Sequence, residues 1–377
     1  MTPEPSISSL LAERIEAGDF PSAVYFVMER WQRRFADALG DAVREPENER
    51  RPATLETVYD LASLTKPLVT GLICAKYLES GRLSLDDPVS RHLPEFGRPD
   101  KKGITIRHLL THTSGLPAWR PLYLLCEGRP ERAPTVINAL PLEHEPGTRV
   151  VYSDLGFITL GLLLQRLSYR TLAELALREV IHPLGLKRTF FNPEAAFRTE
   201  TAACESAGNA YERETCRAGE WADTEHAWRE GPIWGEVHDG NAHFLGGAAG
   251  HAGLFSTAAE TATIALMFTA RWSRFFRPET SALFRTNLTE GLNEARSLGW
   301  QLAATPDSTA GPRLPPDSFG HLGFTGTSCW IDPQAERVFI LLTNRTHARQ
   351  LPFVNINSVR RSFHTLAVEA LERDGRG

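Results

Sequence analysis

At 377 residues, 42% hydrophobic and 23% charged with a formal net charge of -5, the chain has the make-up of a globular protein large enough for two packed lobes. No basic stripe with interleaved aromatics marks a nucleic-acid surface, and no apolar run reaches the roughly twenty residues that a bilayer span needs. Cys74, Cys126, Cys204, Cys216 and Cys329 make an odd count with no CxxC spacing, so reduced thiols are expected rather than a zinc ribbon or a complete disulfide framework.

From the N-terminus, Met1-Thr-Pro-Glu-Pro-Ser has none of the cationic, apolar and small-residue regions of a secretory signal. A cytoplasmic protein is expected, or a periplasmic or secreted one if a signal has been removed. Leu10, Leu11 and Ile15 have helical spacing over Ser9 to Ala17, and the apolar run Ala23 to Met28 reads as a strand. Arg33 to Leu39 is a candidate hairpin partner and Glu45 to Arg51 a charged loop. Asp60 or Ser63 can cap a long apolar helix running to about Ser80, with Gly81 as its stop and Pro67 near its first turn.

Helical spacing continues from Ile106 to about Arg178, whereas Glu194 to Glu230 is polar and irregular and reads as a surface excursion or lid. Strand-like runs return at Gly299 to Ala303, Thr327 to Ile331 and Arg337 to Thr343, before an amphipathic helix from about Ile356 to Glu372. This order predicts an α/β (α+β) fold. Residues 1–100 and 231–377 are expected to form an α/β lobe from both termini, and 101–230 an inserted, mainly helical lobe with a lid-like segment near 194–230.

Candidate chemistry begins at Ser63-Leu-Thr-Lys66, where a hydroxyl and an amine at i and i+3 share one helix face. A serine is a weak nucleophile without a neighbouring base, and a lysine whose pKa is lowered by burial can serve. Amides at the helix start add partial positive charge where an oxyanion would form. Alone, such a spacing is equally a capping serine and a solvated lysine. Three further segments accompany it: Gly147-Thr-Arg-Val-Val-Tyr152-Ser-Asp154, with a phenol and a carboxylate two residues apart ahead of an apolar helix; Gly246 to Ser256, rich in glycine; and Gly320-His321-Leu-Gly323-Phe-Thr-Gly-Thr, a strand able to admit a substrate backbone closely.

Together these motifs resemble the serine β-lactamase-related family, which includes class C β-lactamases, penicillin-binding DD-peptidases and esterases. The likeness spans about Ala23 to Asn344 and includes His112-Thr-Ser-Gly-Leu-Pro117 and Gly250 to Ser256. The resemblance implies a β-lactamase/transpeptidase-like fold, an antiparallel sheet flanked by helices, and an acyl-enzyme on Ser63 formed from an ester, β-lactam or D-amino-acid-containing peptide or amide. It implies Lys66 as activator, Tyr152 as a proton relay in its phenolate form, and an oxyanion site between the amides of Ser63 and Phe324. Asp154, His321 and Gly323 would contact substrate, with no cofactor. The chain departs from the family's pattern twice. Asp154 stands where many members have asparagine, so it cannot donate to a substrate carbonyl when ionised, and it could instead pair with Lys66 or cap the helix beginning at Leu155. His321 replaces lysine, giving a switchable charge to meet a substrate carboxylate.

Other readings compete. His238, His243 and His251, with Glu236 and Asp239, are the densest set of metal-ligand types, although their spacing fits no familiar zinc site. His108 and His112 lack the glutamate of a zincin helix, and Ser114 lacks the first glycine of a nucleophile elbow. The scaffold can also serve as a catalytically inactive sensor or binding module. Partners expected are a small-molecule or short-peptide substrate, with no nucleic acid.

Overall fold

The central sheet joins strands from opposite ends of the chain. The computed structural model describes residues 2–222, 224–269 and 275–374; Met1, Asp223 of the expected lid, 270–274 and 375–377 lie outside the described residues. Helix α1 (Pro5–Glu16) leads into the hairpin β1 (Ser22–Glu29) and β2 (Gln32–Val43), followed by short β3 (Arg51–Pro52). Arg30 and Trp31 both take positive φ at the hairpin tip, as a two-residue turn matched to strand twist requires. Neither residue is a usual choice there, which is why the turn is faint in the sequence.

Next come β4 (Tyr59–Asp60), α2 (Leu72–Glu79), α3 (Asp154–Ser168), β5 (Phe190–Phe191), α4 (Ala210–Arg217), α5 (Gly240–Phe244), β6 (Leu254–Ser256) and α6 (Ala258–Leu266). The chain ends with β7 (Gln301–Leu302), β8 (Phe319–Leu322), β9 (Ser328–Asp332), β10 (Arg337–Thr343) and α7 (Asn357–Asp374). The seven-stranded sheet has the order β3-β2-β1-β10-β9-β8-β7 with antiparallel neighbours throughout. β4 and β5 flank β6 in a smaller sheet.

Register decides which side chains meet which layer. β1 pairs with β10 so that Phe26 lies opposite Ile340 and Tyr25 opposite Leu341. Val24, Phe26, Met28, Val338, Ile340 and Leu342 join the large core that holds α2, α3 and α6. Ala23, Tyr25, Val27, Phe339 and Leu341 pack on the opposite face with Ile7 and Leu11 of α1 and Phe363 of α7. Helices therefore cover both faces of an antiparallel sheet, and β1 reads as a continuous apolar run because both of its faces are buried.

Three local expectations change. The single helix expected from residue 60 to 80 is instead a 3-10 turn at Ala62–Leu64, a π-helical turn at Lys66–Gly71 and then α2, and it is Asp60 rather than Ser63 whose side chain meets its first amide. The helical spacing from Ile106 to Arg178 is interrupted by long irregular stretches, since Gly115, Pro117, Pro121, Pro141 and Gly147 stop the helices Ile106–Leu110 and Ala133–Ala139 from joining α3. Inside the polar 194–230 segment, α4 forms and buries Glu212 and Cys216. All five cysteines are free and buried. Among the described residues no helix is long and apolar enough to cross a membrane.

Candidate active site

Ser63 stands where β4 gives way to helix. β4 is held by pairing with β6, Tyr59 opposite Ser256 and Asp60 opposite Phe255. The Asp60 carboxylate then accepts the amides of Ala62 and His238, both at 2.8 Å. Ala62, immediately before the serine, has φ 48, a left-handed conformation that costs a non-glycine residue about 1 kcal/mol or more and persists only where neighbours impose it. The neighbours here are Thr325 Oγ1, donating to the Asp60 carbonyl at 2.8 Å, and Thr327 Oγ1, donating to that of Leu61 at 2.9 Å. The turn after β8 thus clamps the backbone that presents Ser63.

Lys66 lies one turn on and is fully buried. Its ammonium has three hydrogens to donate, and three acceptors surround it: Ser63 Oγ at 2.8 Å, Asp154 Oδ1 at 2.7 Å and the His251 carbonyl at 3.2 Å. Burial pushes the Lys66 pKa down, but the Asp154 charge and the Tyr152 hydroxyl outweigh it, so the net direction is upward. The expectation of a lysine made basic by a lowered pKa is therefore corrected: resting Lys66 is an ammonium. Asp154 does not cap the helix it begins. Ser153 does so, its hydroxyl accepting the Gly156 amide at 3.2 Å, which leaves the Asp154 carboxylate to face Lys66.

Tyr152 is half-buried at the cleft wall, and the Lys66 Nζ lies 4.7 Å from its ring centroid. Burial raises its pKa above that of an ordinary phenol, against the Lys66 charge and hydrogen bonds with Lys66 and Ser63 that lower it. The phenolate expected from the ammonium's proximity is corrected to a neutral phenol in the resting site. The ring packs between His112, at 4.6 Å, and His321, at 5.8 Å. His112 has φ 58, and its Nδ1 accepts the Ser153 amide at 3.0 Å. His321 is held well below the ordinary histidine range by burial, then by Lys66 and Arg296. It is neutral rather than the switchable cation expected for a substrate carboxylate. With its Nδ1 2.8 Å from the Leu322 carbonyl, the assigned tautomer donates there and leaves Nε2, buried and without a partner, as an acceptor.

β8 supplies the other wall. A Cβ on Gly323 would stand 2.6 Å from the Leu61 carbonyl and 2.0 Å from Thr327 Oγ1, so only glycine permits this approach to the nucleophile turn. No acceptor among the described residues takes the Phe324 amide. The Phe324 ring stacks on Tyr211 at 4.9 Å and His238 at 5.6 Å. Arg345 donates to the Phe324 and Val354 carbonyls and Arg360 to those of Gly323 and Thr327. Among the described residues, no carboxylate pairs with either.

Ser63, Tyr152, Asp154, His321 and Phe324 line one cleft of about 550 Å³, which also takes in Trp119, Glu212, Asp239 and Arg296. Asp60, Glu205, Glu212, Arg296, Arg345 and Arg360 escape sequence reasoning. The one readable signal among them is Arg360, which stands between Val359 and Phe363 on the buried face of α7.

The structure does not gather the candidate histidine metal cluster. His238 pairs with Glu205 at 2.8 Å, His243 faces Glu236 at 3.5 Å and His251 pairs with Asp239 at 2.8 Å. Among the described residues, the set close enough to share an ion is Asp154, Asp239 and His251, where the Lys66 ammonium is already bonded to Asp154 and to the His251 backbone. His108 completes a capping box with Thr105, and Ser114 accepts the Leu116 amide.

Comparison with known proteins finds relatives over nearly the whole chain. The family model described as "Beta-lactamase" matches residues 7–359. An "N-acetylmuramyl-L-alanine amidase" of Bacillus subtilis (strain 168) is 31% identical over 364 residues, covering 89% of this chain and 80% of the relative. A protein of Escherichia coli (strain K12) named "Putative D-alanyl-D-alanine carboxypeptidase" is 31% identical over 321 residues, covering 78% and 71%. The solved structure of "EstCE1, a hydrolase with promiscuous acyltransferase activity" superimposes with a TM-score of 0.73 at 24% identity, covering 96% of this chain and 97% of that one. A penicillin-binding protein homologue from Caulobacter crescentus also gives 0.73, at 18% identity and 98% coverage of both chains.

Proposed function

The chain belongs to the β-lactamase family, and from that premise we propose that it is a serine acyl hydrolase that carries its substrate's acyl group on Ser63. The observation that carries this reading is the Lys66 ammonium, buried and held between Ser63, Asp154 and the His251 carbonyl. A lysine anchoring structure alone needs no serine hydroxyl at the mouth of a cleft.

In this mechanism Lys66 passes a proton to Asp154 across their ion pair, and the free amine takes the Ser63 hydroxyl proton as Oγ attacks the substrate carbonyl. Negative charge develops on the carbonyl oxygen between the Ser63 and Phe324 amides. As the carbonyl re-forms, the bond to the leaving group breaks and the Tyr152 phenol protonates that group. Lys66 then restores the Tyr152 proton and recovers its own from Asp154. Water repeats the sequence in reverse to release the acid. Asp154 thus acts as a proton store, and neutral His321 orients the phenol or the leaving group through Nε2.

The substrate in this reading is an ester, β-lactam or D-amino-acid-containing peptide or amide. Arg345 and Arg360, cations with no acid partner beside the end of β8, favour one whose leaving side carries a carboxylate, so a peptide is preferred over a plain ester. Residues 101–230 form the lobe that closes one side of the cleft against the sheet-bearing lobe of 1–100 and 231–377.

The test is covalent labelling with a fluorophosphonate and a labelled penicillin, read by intact mass, beside turnover of p-nitrophenyl esters, nitrocefin and D-Ala-D-Ala peptides. Wild type should gain one adduct, and Ser63→Ala should gain none and turn over nothing. Absence of any wild-type adduct, or turnover retained in the variant, overturns the reading.

A further inference from the structure

Five carboxylates border the wall of the cleft formed by α4, α5 and the β4 turn, and four of them have their charge met. Asp60 accepts two amides. Glu205 has the His238 imidazole and the Tyr211 amide, Asp239 has the His251 imidazole and the Ala242 amide, and Asp154 has Lys66. Glu212 differs. Its Oε1 accepts the Gly240 amide at 2.7 Å, and the carboxylate otherwise meets only the neutral Tyr123 hydroxyl, with no cation paired to it among the described residues.

Glu212 is 7% exposed yet lines the same cleft as Ser63. Its carboxylate occupies space that exists because residue 240 is glycine: a Cβ there would lie 2.1 Å from Oε2. Tyr123, whose hydroxyl is 3.7 Å from Cys216 Sγ, also hydrogen-bonds Glu212 but supplies no charge. The charged groups facing Glu212 are Asp239 and His238, and burial first, then the Asp239 charge, pushes its carboxyl up to about 7. A buried carboxylate with no cation paired to it is a costly arrangement, and a cation arriving in the cleft would relieve it.

We propose that Glu212 is a specificity residue that receives a protonated amine carried on the acyl portion of the substrate. The inference rests on the acyl-enzyme reading above and narrows its substrates to aminoacyl amides, esters or peptides. The route from Glu212 to the reacting centre is short in contacts: Gly240 adjoins Asp239, Asp239 holds His251, and the His251 carbonyl holds Lys66. An acyl group bonded to Ser63 and extending along this wall brings its ammonium towards the Glu212 carboxylate. A charge-assisted hydrogen bond there is stronger than a neutral one.

The test compares alanyl p-nitroanilide, in each configuration, with propionyl p-nitroanilide, which has the same leaving group and lacks only the amine. Wild type should prefer one alanyl substrate in kcat/KM by about tenfold or more, and Glu212→Gln, which can still accept the Gly240 amide through its amide oxygen, should erase most of that ratio. A wild-type ratio near one overturns the proposal, and so does a preference that survives in the variant. The wild-type comparison decides the matter if the variant does not fold. If neither anilide turns over, protection of Ser63 from fluorophosphonate by alaninamide against propionamide replaces it, with equal protection overturning the proposal. Failure of Ser63 labelling itself would instead overturn the acyl-enzyme reading.

Discussion

Lys66 and Asp154 form a 2.7 Å ion pair in which the lysine side chain is wholly buried and the aspartate is 18% exposed. The pair holds the ammonium in its charged form although burial opposes it. The amine must hand that proton to Asp154 before it can take one from Ser63, so the ion-paired ammonium is the active resting form. Removing the Asp154 charge lowers the Lys66 pKa, because an opposite charge that favoured the ammonium is gone. Asp154→Asn also removes the proton store, so Lys66 must lose its proton to solvent before it can act: kcat/KM of the variant should fall at neutral pH and recover with rising pH, by about tenfold per unit below the lowered Lys66 pKa. A variant that keeps the wild-type pH profile would show that Asp154 does not store the Lys66 proton.

Ser63 needs its own test because both Lys66 and Tyr152 interact with it. Ser63→Ala removes the bond-forming oxygen and one of three acceptors of a buried ammonium. We expect kcat/KM to fall by about a thousandfold or more. The melting temperature should change little, since Asp154 and the His251 carbonyl still hold Lys66. Enzyme assay and calorimetry on the same preparation separate lost chemistry from lost fold.

Gly323 tests the clamp between the β8 turn and the nucleophile. An added methyl must displace Thr327 Oγ1 or the Leu61 carbonyl, and the Phe324 amide moves with the turn. Gly323→Ala should cost about 1–3 kcal/mol in stability and about ten- to a hundredfold in kcat. Gly103, which has no positive φ and nothing within 4 Å of a built Cβ, supplies the control: Gly103→Ala should leave both near wild type in urea unfolding and in turnover.

Much of the site is readable in sequence because its chemistry depends on short spacings. Ser63 and Lys66 are one helical turn apart, and Tyr152 and Asp154 flank the serine that caps α3. What the spacing conceals is charge state. The neutrality of His321 and Tyr152 and the protonation of Lys66 follow from burial and from one another's fields, and each depends on elements distant in sequence. The same reason hides Glu212: it lies on a short polar helix whose burial is decided by Gly240 and Tyr123. In the fold, β1 and β10 are legible as apolar runs, whereas the 3-10 and π turns around Ser63 are not. They arise from the left-handed Ala62 and the threonine clamps, not from any helix propensity.

Buried neutral histidines also make the fold sensitive to acid, and His364 is the clearest case. Its Nδ1 lies 2.6 Å from the Thr309 carbonyl and its Nε2 3.2 Å from Ser328 Oγ, and burial, partly offset by the Thr309 bond, pushes its pKa down to about 3. The unfolded chain, with an ordinary histidine pKa near 6.5, binds this proton first. Between about 6.5 and 3 the unfolded state therefore holds more protons, and stability falls as the pH falls, by up to about 1.4 kcal/mol per pH unit from this one group. His364→Asn keeps a donor for Thr309 and does not titrate. Urea unfolding of both proteins at several pH values from 7 to 4.5 should give a shallower acid loss in the variant, by up to one proton's slope. Glu212, raised to about 7, acts with the opposite sign, since its folded carboxyl binds a proton before the unfolded one does. That contribution is present in both proteins and cancels in their difference, so parallel curves would mean that His364 does not carry the acid sensitivity assigned to it.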